Sequence, residues 1–348
     1  MRIWFDILTP KQVLFFKPVV NLLKGLGFEL LCSSREYREA VDLAKIKKLE
    51  LTIVGKHGGS NRYDKLKAST ERIYELSDLV HAFDPNFSVS FSSPEAARIS
   101  FGLGIKHIGF NDSPHAEAVA RLTVPLMHSL FCPWVIPKLA WTSFGINKKN
   151  IIHYNALDPV AWIRSEYSLK ENIREPGRNI LVRLEESKAS YIADKNLVNS
   201  SIRMLDDLVQ NFSSDSKITV LCRYDDQIDF IDKRYGDKIN LLSNVVDGAS
   251  VISDCDIFIG AGGTMTAEAS LIGKPTISIA PIQFYVEQYL IKSGLVTKTS
   301  NSQQLVKYVK KIFSDKSIYY KQKKLSNFIL TSMDDPAKIF VSYLKNNA

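Results

Sequence analysis

The chain has 348 residues, 45% hydrophobic, 24% charged and 10% aromatic, a globular composition that excludes disorder, collagen and a coiled-coil rod and allows two domains. Its 45 basic and 37 acidic side chains give +8 at neutral pH, with +5 in residues 1–158 and +3 in the remainder. The excess is therefore diffuse, which suits anionic small molecules, phosphorylated lipids and nucleic acid equally.

Met1 leads straight into an apolar segment containing Arg2 and Asp6, without the charged leader, apolar core and cleavage site of an export signal, so a cytoplasmic protein is expected. Runs rich in Ile, Val, Leu and Phe predict strands at 2–8, 28–32, 51–54, 87–91 and 107–110, with a weaker one near 130–132. Between them apolar residues return every three or four positions, which predicts helices at 14–26, 37–48, 64–83, 94–103 and 115–127. Ser92-Ser93-Pro94-Glu95 carries a hydroxyl cap, a first-turn proline and an early acid at the start of the fourth of these helices. The most apolar long window, Leu122 to Trp141, is interrupted by Pro125, Pro133 and Pro137 and holds His128 and Lys138, so it fails as a membrane span.

After His153-Tyr154-Asn155 a polar stretch over 158–178 contains Pro159, Pro176 and Gly177, and the domain boundary is placed there, dividing the chain into 1–158 and 159–348. A second alternating series follows, with strands predicted at 179–183, 218–222, 239–242, 257–259 and 276–279. Helices are expected between them at 195–211, 225–234, 247–253, 264–272 and 284–293. Residues 302–348 read as two lysine-rich helices that can pack back on the first domain. The four cysteines, Cys32, Cys132, Cys222 and Cys255, stand apart in apolar runs without a C-x-x-C pair and are expected as reduced core residues. The fold class expected is α/β, two Rossmann-like doubly wound parallel sheets facing a cleft, with ligands at the carboxyl ends of the strands.

Those carboxyl ends supply the candidate site residues. Asp256 to Glu268 reads as a buried strand, a turn with Gly260, Gly262 and Gly263, and a helix start at Thr264. Glycines let backbone approach a ligand, Thr264 can cap the helix, and free N–H groups there favour a diphosphate. Glu268 lies one turn further on the same face, where a carboxylate can accept from ribose hydroxyls. The alternative is a tight βα turn with a solvated glutamate. Two neighbouring strands end in Arg183 and Arg223, forks suited to phosphate oxygens or, singly, to surface ion pairs.

In the first domain the same edge holds Asp6 and Thr9, His57-Gly58-Gly59-Ser60, Ser92-Ser93 and Asn111-Asp112-Ser113-Pro114-His115-Ala116-Glu117. Asp112, His115, Glu117 and Asp6 are the candidates for proton transfer, since a histidine beside a carboxylate is a workable general base. The competing reading has Asp112 or Ser113 capping the helix that Pro114 opens, with Glu117 at its positive end. No second ligand stands at helical spacing from His115, so no metal is expected. The first helix sets Val13, Leu14, Phe16, Val20, Leu23 and Leu26 among Lys11, Lys17 and Lys24. That stripe either covers the sheet or meets anionic lipid, and Phe15, about 100° round from Phe16, distinguishes the two.

Four groups of strings together resemble a prokaryotic, largely archaeal family of unknown function in the glycosyltransferase-B fold superfamily. They are Trp4-Phe5-Asp6 with Phe15-Phe16-Lys17-Pro18; Gly55-Lys56-His57-Gly58-Gly59; Ser92 to Arg98 with Asn111 to Glu117; and Gly260 to Glu268. The last, with Gly273-Lys274-Pro275, is also similar to the nucleotide-sugar motif of the non-hydrolysing UDP-N-acetylglucosamine 2-epimerases and of the lipid II N-acetylglucosaminyltransferase. That resemblance implies Gly262, Gly263 and Thr264 on a diphosphate and Glu268 on a ribose; Arg183, Arg223, His57, Ser92 and Ser93 are the further binding candidates, read from their places at the strand ends. The epimerases' histidine- and arginine-rich turn is not matched at Arg183-Leu184-Glu185-Glu186, and the transferase's glycine-rich first loop is replaced by Leu8-Thr9-Pro10-Lys11-Gln12.

The expectation is a metal-independent glycosyltransferase without a cofactor, using a nucleoside-diphosphate sugar, UDP-linked by preference. An epimerase-like isomerase and a non-catalytic nucleotide-sugar or nucleic-acid binding module are the alternatives. No nucleic-acid partner is expected, because the chain lacks an aromatic and basic stripe of the kind that holds single strands. A lipid-linked acceptor, a peripheral membrane contact and a homodimer are compatible with this reading.

Overall fold

The computed structural model describes residues 1–59, 61–167, 175–184, 195–222, 225–243 and 247–347, with 195–200 and 225 described by backbone alone. The chain forms two compact units, Met1–Trp162 together with Asp334–Ala348, and Ile163–Met333.

The first unit is built on a seven-stranded sheet of β1 (Arg2–Asp6), β2 (Glu29–Glu36), β3 (Thr52–Lys56), β4 (Phe87–Ser90), β5 (Lys106–Phe110), β6 (Ser129–Pro133) and β7 (Ile151–Tyr154). Their order is β3-β2-β1-β4-β5-β6-β7, with parallel pairing throughout. The strand β7 is not among the predicted ones, because four residues grading into a loop carry too little periodicity. Strand order reverses between β1 and β4, the kind of switch point at whose carboxyl edge open α/β sheets bind ligands.

The first helix, Pro10–Gly25, begins four residues ahead of the start expected at residue 14, with Pro10 at a position where its missing N–H is no loss. Phe15 and Phe16 are both buried. Phe16 packs edge-on against Phe5 at 5.4 Å, and Phe15 against Phe110 at 5.0 Å. Both rings are spent on the sheet, so the lipid-facing reading of this helix is withdrawn. The lysine-rich C-terminal segment contains three helices where two were expected: Ser302–Ser314, Ser317–Ser332 and Pro336–Asn347. The last belongs to the first unit, where Phe340 meets Phe110 at 5.1 Å and Tyr343 shares a 2.7 Å hydrogen bond with Ser129.

The second unit carries six parallel strands: β8 (Asn179–Arg183), β9 (Lys217–Leu221), β10 (Asn240–Leu242), β11 (Ile257–Gly260), β12 (Thr276–Ser278) and β13 (Val296–Lys298). They are ordered β10-β9-β8-β11-β12-β13. Here the reversal lies between β8 and β11. The three-residue β13 was not expected. Nor was the helix Val160–Glu166, which stands inside the stretch read as a polar connector and buries Trp162. Inward residues of β8, β9 and β11, Val182, Val220 and Ile259 among them, pack on Leu205, Leu208 and Leu305 from the covering helices. Among the described residues the four cysteines form no disulfide; three are buried and Cys222 is half-buried. Among the described residues no helix is long and apolar enough to cross a membrane.

Candidate functional site

In the first unit the switch-point loops are held by a buried ionic network. Asp6 ends β1 fully enclosed, its Oδ1 accepting from Arg72 Nη2 at 2.6 Å and its Oδ2 from Nη1 at 3.0 Å. Ser33 and Ser93 hydroxyls donate to the same carboxylate at 2.8 and 2.6 Å. Burial opposes its ionisation, but the guanidinium and the two hydroxyls outweigh it and hold Asp6 below the usual carboxylate range. Ser93 also caps the helix Pro94–Leu103, as its sequence predicts, accepting from Ala96 N at 3.1 Å. Ser92 sits at φ +55°, a left-handed conformation costly for a residue with a Cβ. Its hydroxyl donates to Phe110 O at 3.0 Å and accepts from Asn111 Nδ2 at 2.7 Å, which ties the end of β4 to the end of β5. Asp6, Ser92 and Ser93 are thus brought to one edge, but as its braces.

The second cluster at that edge centres on Lys11. Its ammonium lies 2.6 Å from Asp112 Oδ2 and 2.6 Å from Asp158 Oδ2, 4.3 Å over the Phe91 ring. Asp158 Oδ1 accepts from the Tyr154 hydroxyl at the end of β7. The Asp112 side chain keeps 23% of its surface and Lys11 18%, whereas Asp158 keeps 2%. Burial works against an ionised Asp112, yet Lys11 outweighs it and holds that carboxyl down. Burial and the Asp112 charge push Asp158 up to about 6. Burial also raises the Tyr154 hydroxyl, with Asp158 beside it.

Asp112 is not a helix cap. The helix that follows starts only at Glu117, with Ala116 at the cap position making no side-chain bond. Asn111 Oδ1 accepts from Ser113 N at 2.7 Å instead, turning the chain so that Asp112 meets Lys11. His115 is half-buried, and burial depresses its titration although Asp112 opposes this. Glu117 stands on the exposed face of its helix, 63% exposed and paired with Arg121 at 2.6 Å. His57 is exposed on the far side of the sheet beyond β3, stacked 5.0 Å from Tyr37 and accepting from Gly59 N at 3.1 Å. Neither joins the Lys11 cluster.

In the second unit the glycine turn falls at the β8/β11 reversal, with Gly260 in register with Arg183. Gly262 and Gly263 have φ of +90° and +79°, conformations that favour glycine, and a Cβ on Gly263 would enter open space. Gly263, not Thr264, occupies the cap position of the helix Thr264–Leu271; Thr266 Oγ1 donates back to Gly262 O at 3.0 Å. The first N–H groups of this helix are therefore not taken by a capping side chain. Arg183 is half-buried, its Nη1 donating to Leu221 O at 3.3 Å. Glu268 is buried, and its Oε1 accepts from the Tyr167 hydroxyl at 2.9 Å. On the other side of the turn Glu287 accepts from Ser278 and lies 3.4 Å from Lys298. Arg223 lies outside the described residues.

Sequence reasoning missed Lys11, Arg72, Tyr154, Asp158 and Tyr167 as site residues. Lys11 looks like one more surface lysine of an amphipathic helix, and Asp158 stands at the edge of a stretch read as a connector. A signal was present for Asp158: Tyr154 and Asp158 flank a short apolar turn at the end of what proves to be a strand.

The family described as "Protein of unknown function (DUF354)" matches residues 1–348. An uncharacterized protein of Methanocaldococcus jannaschii, MJ0665, is 26% identical over 322 residues, covering 89% of this chain and 91% of that one. The UDP-GlcNAc 2-epimerase from Neisseria meningitidis, solved bound to UDP-GlcNAc, superposes with a TM-score of 0.76 at 13% identity, covering 99% of this chain and 100% of that one. The spinosyn rhamnosyltransferase SpnG superposes with a TM-score of 0.63 at 15% identity, covering 99% and 100%. At such identities the likeness establishes the fold, which is of the glycosyltransferase-B type.

Proposed function

The chain belongs to the DUF354 family, and from that premise and its glycosyltransferase-B type fold we propose that it is a nucleotide-sugar-dependent glycosyltransferase. The observation that carries this reading is the glycine turn at the β8/β11 reversal, where the helix start lacks a side-chain cap and Gly263 faces open space. A diphosphate there gains backbone N–H donors and the helix's positive end, and Arg183 reinforces them from the adjacent strand end. Stabilising the departing diphosphate is the main electrostatic task of such a transfer. In this reading Glu268 holds the ribose, and UDP is the favoured nucleotide because the epimerase neighbour is bound to UDP-GlcNAc. In the first unit Asp112, with His115 beside it, is the group that accepts the proton of an acceptor hydroxyl.

A second reading, an isomerase working on the same donor without an acceptor, is favoured by the likeness to the epimerase structure. A thermal-shift panel of UDP-, GDP-, CMP- and dTDP-sugars followed by product analysis separates the two. Turnover only with an acceptor supports the transferase, and turnover without one supports the isomerase. Binding without any turnover rejects both in favour of a binding module.

A further inference from the structure

Three side chains from distant parts of the sequence meet at the carboxyl edge of the first sheet. Lys11 comes from the first turn of its helix, Asp112 from the loop after β5 and Asp158 from the turn after β7. Taking two carboxylates and one ammonium out of water leaves a net negative charge, an arrangement that a pair of apolar side chains would improve upon if stability were its purpose. The burial is also graded. Asp158 is shut in, anchored by Tyr154 on Oδ1, and among the described residues its Oδ2 accepts no well-aligned hydrogen bond, its charge being met only by Lys11 at 2.6 Å. Asp112 and Lys11 keep surface open to solvent.

We propose that Asp112 and Asp158, bridged by Lys11, form a two-carboxylate proton-transfer centre for a hydroxyl-bearing acceptor, with Asp112 meeting the hydroxyl and Asp158 as the positioning residue behind it. The assignment rests on the glycosyl-transfer reading. In the step, the acceptor's O–H bond breaks and its proton passes to Asp112. The acceptor oxygen bonds to the anomeric carbon, and the bond from that carbon to the diphosphate breaks, its electron pair leaving with the diphosphate. The groups facing the pair are Lys11, Tyr154, His115 beside Asp112, and Cys132 on β6, with Lys138 beyond it. Once Asp158 ionises, two negative charges share one ammonium and Asp112 becomes the stronger base, so the two carboxyls titrate as a unit.

The test uses the full chain labelled with 13C at aspartate carboxyls, and kinetics with whichever nucleotide sugar the panel identifies. One carboxyl should titrate near pH 6 and vanish from the spectrum of Asp158→Asn. Asp112→Asn should lower that midpoint and Lys11→Met should raise it. Asp112→Asn should cut kcat by about 10²–10⁴-fold with nucleotide affinity unchanged. Asp158→Asn should keep affinity and KM but lose the rise in kcat through pH 6, a readout that a merely structural role would not move. The proposal is overturned if no aspartate titrates between 5 and 7, if that midpoint survives in Asp158→Asn, or if the two pH profiles superimpose. Failure of every nucleotide sugar to bind would defeat the glycosyl-transfer reading separately, and the carboxyl titration would still support or overturn the pair.

Discussion

The Tyr167 hydroxyl donates to Glu268 Oε1 at 2.9 Å across 101 positions of sequence. The carboxylate proposed for a ribose is therefore already engaged, and on that proposal a nucleotide hydroxyl has to add to or displace the tyrosine. Tyr167→Phe should raise nucleotide affinity about three- to tenfold by removing the competing donor. Glu268→Ala should weaken binding by about 1–3 kcal/mol, the range for a hydrogen bond to a charged group. Calorimetric titration of both folded variants decides it, and unchanged affinity in Glu268→Ala rejects this role for Glu268.

Gly263 combines a φ of +79° with ψ near −165° and open space above its Cα. That backbone region is essentially glycine's alone, so Gly263→Ala should cost about 1–3 kcal/mol of stability. The new methyl group should also stand where a diphosphate would lie and lower nucleotide affinity by tenfold or more. Urea unfolding and titration of the same sample separate the two effects. A variant that is destabilised but binds normally would remove the turn from the binding site.

Arg72 supplies the counter-charge of the enclosed Asp6. Arg72→Met should destabilise the first unit by about 3–5 kcal/mol, because it leaves a buried carboxylate uncompensated. The double variant Asp6→Asn, Arg72→Met should recover much of that loss. Chemical denaturation monitored by tryptophan fluorescence measures both, and equal loss in the single and double variants would show that the ion pair is not the source.

His107 is buried between Ser88 Oγ at 2.8 Å and Ser90 Oγ at 3.2 Å, where burial pulls its pKa from the ordinary 6.5 to about 4. The folded protein thus holds the ring neutral while the unfolded chain protonates it first. Stability from this residue is complete above pH 6.5 and is lost as pH falls through 6.5 towards 4, amounting to about 3 kcal/mol. Urea midpoints of wild type and His107→Gln should converge as pH drops over that interval. A wild-type midpoint that is flat between pH 6.5 and 4 would contradict the neutral assignment.

The alternation of short β-branched runs with amphipathic stretches determined two parallel α/β sheets, because strand and helix periods differ and both are local properties. It also located the glycine turn at 260–263 and the Ser93 cap, since positive φ and capping are demands on single residue types. What it could not reach were β7, β13 and the helix Val160–Glu166, segments too short to display a period. The partners of the buried charges were equally out of reach: Asp112 stood out singly as a proton-transfer candidate or a cap, while Lys11 and Asp158 read as a surface lysine and a linker acid. Only the parallel sheet's strand order sets the first helix beside the ends of β5 and β7 and brings those charges within 2.6 Å. Their protonation follows from that encounter, because burial and neighbouring charge are properties of the packed protein and of no stretch of its sequence.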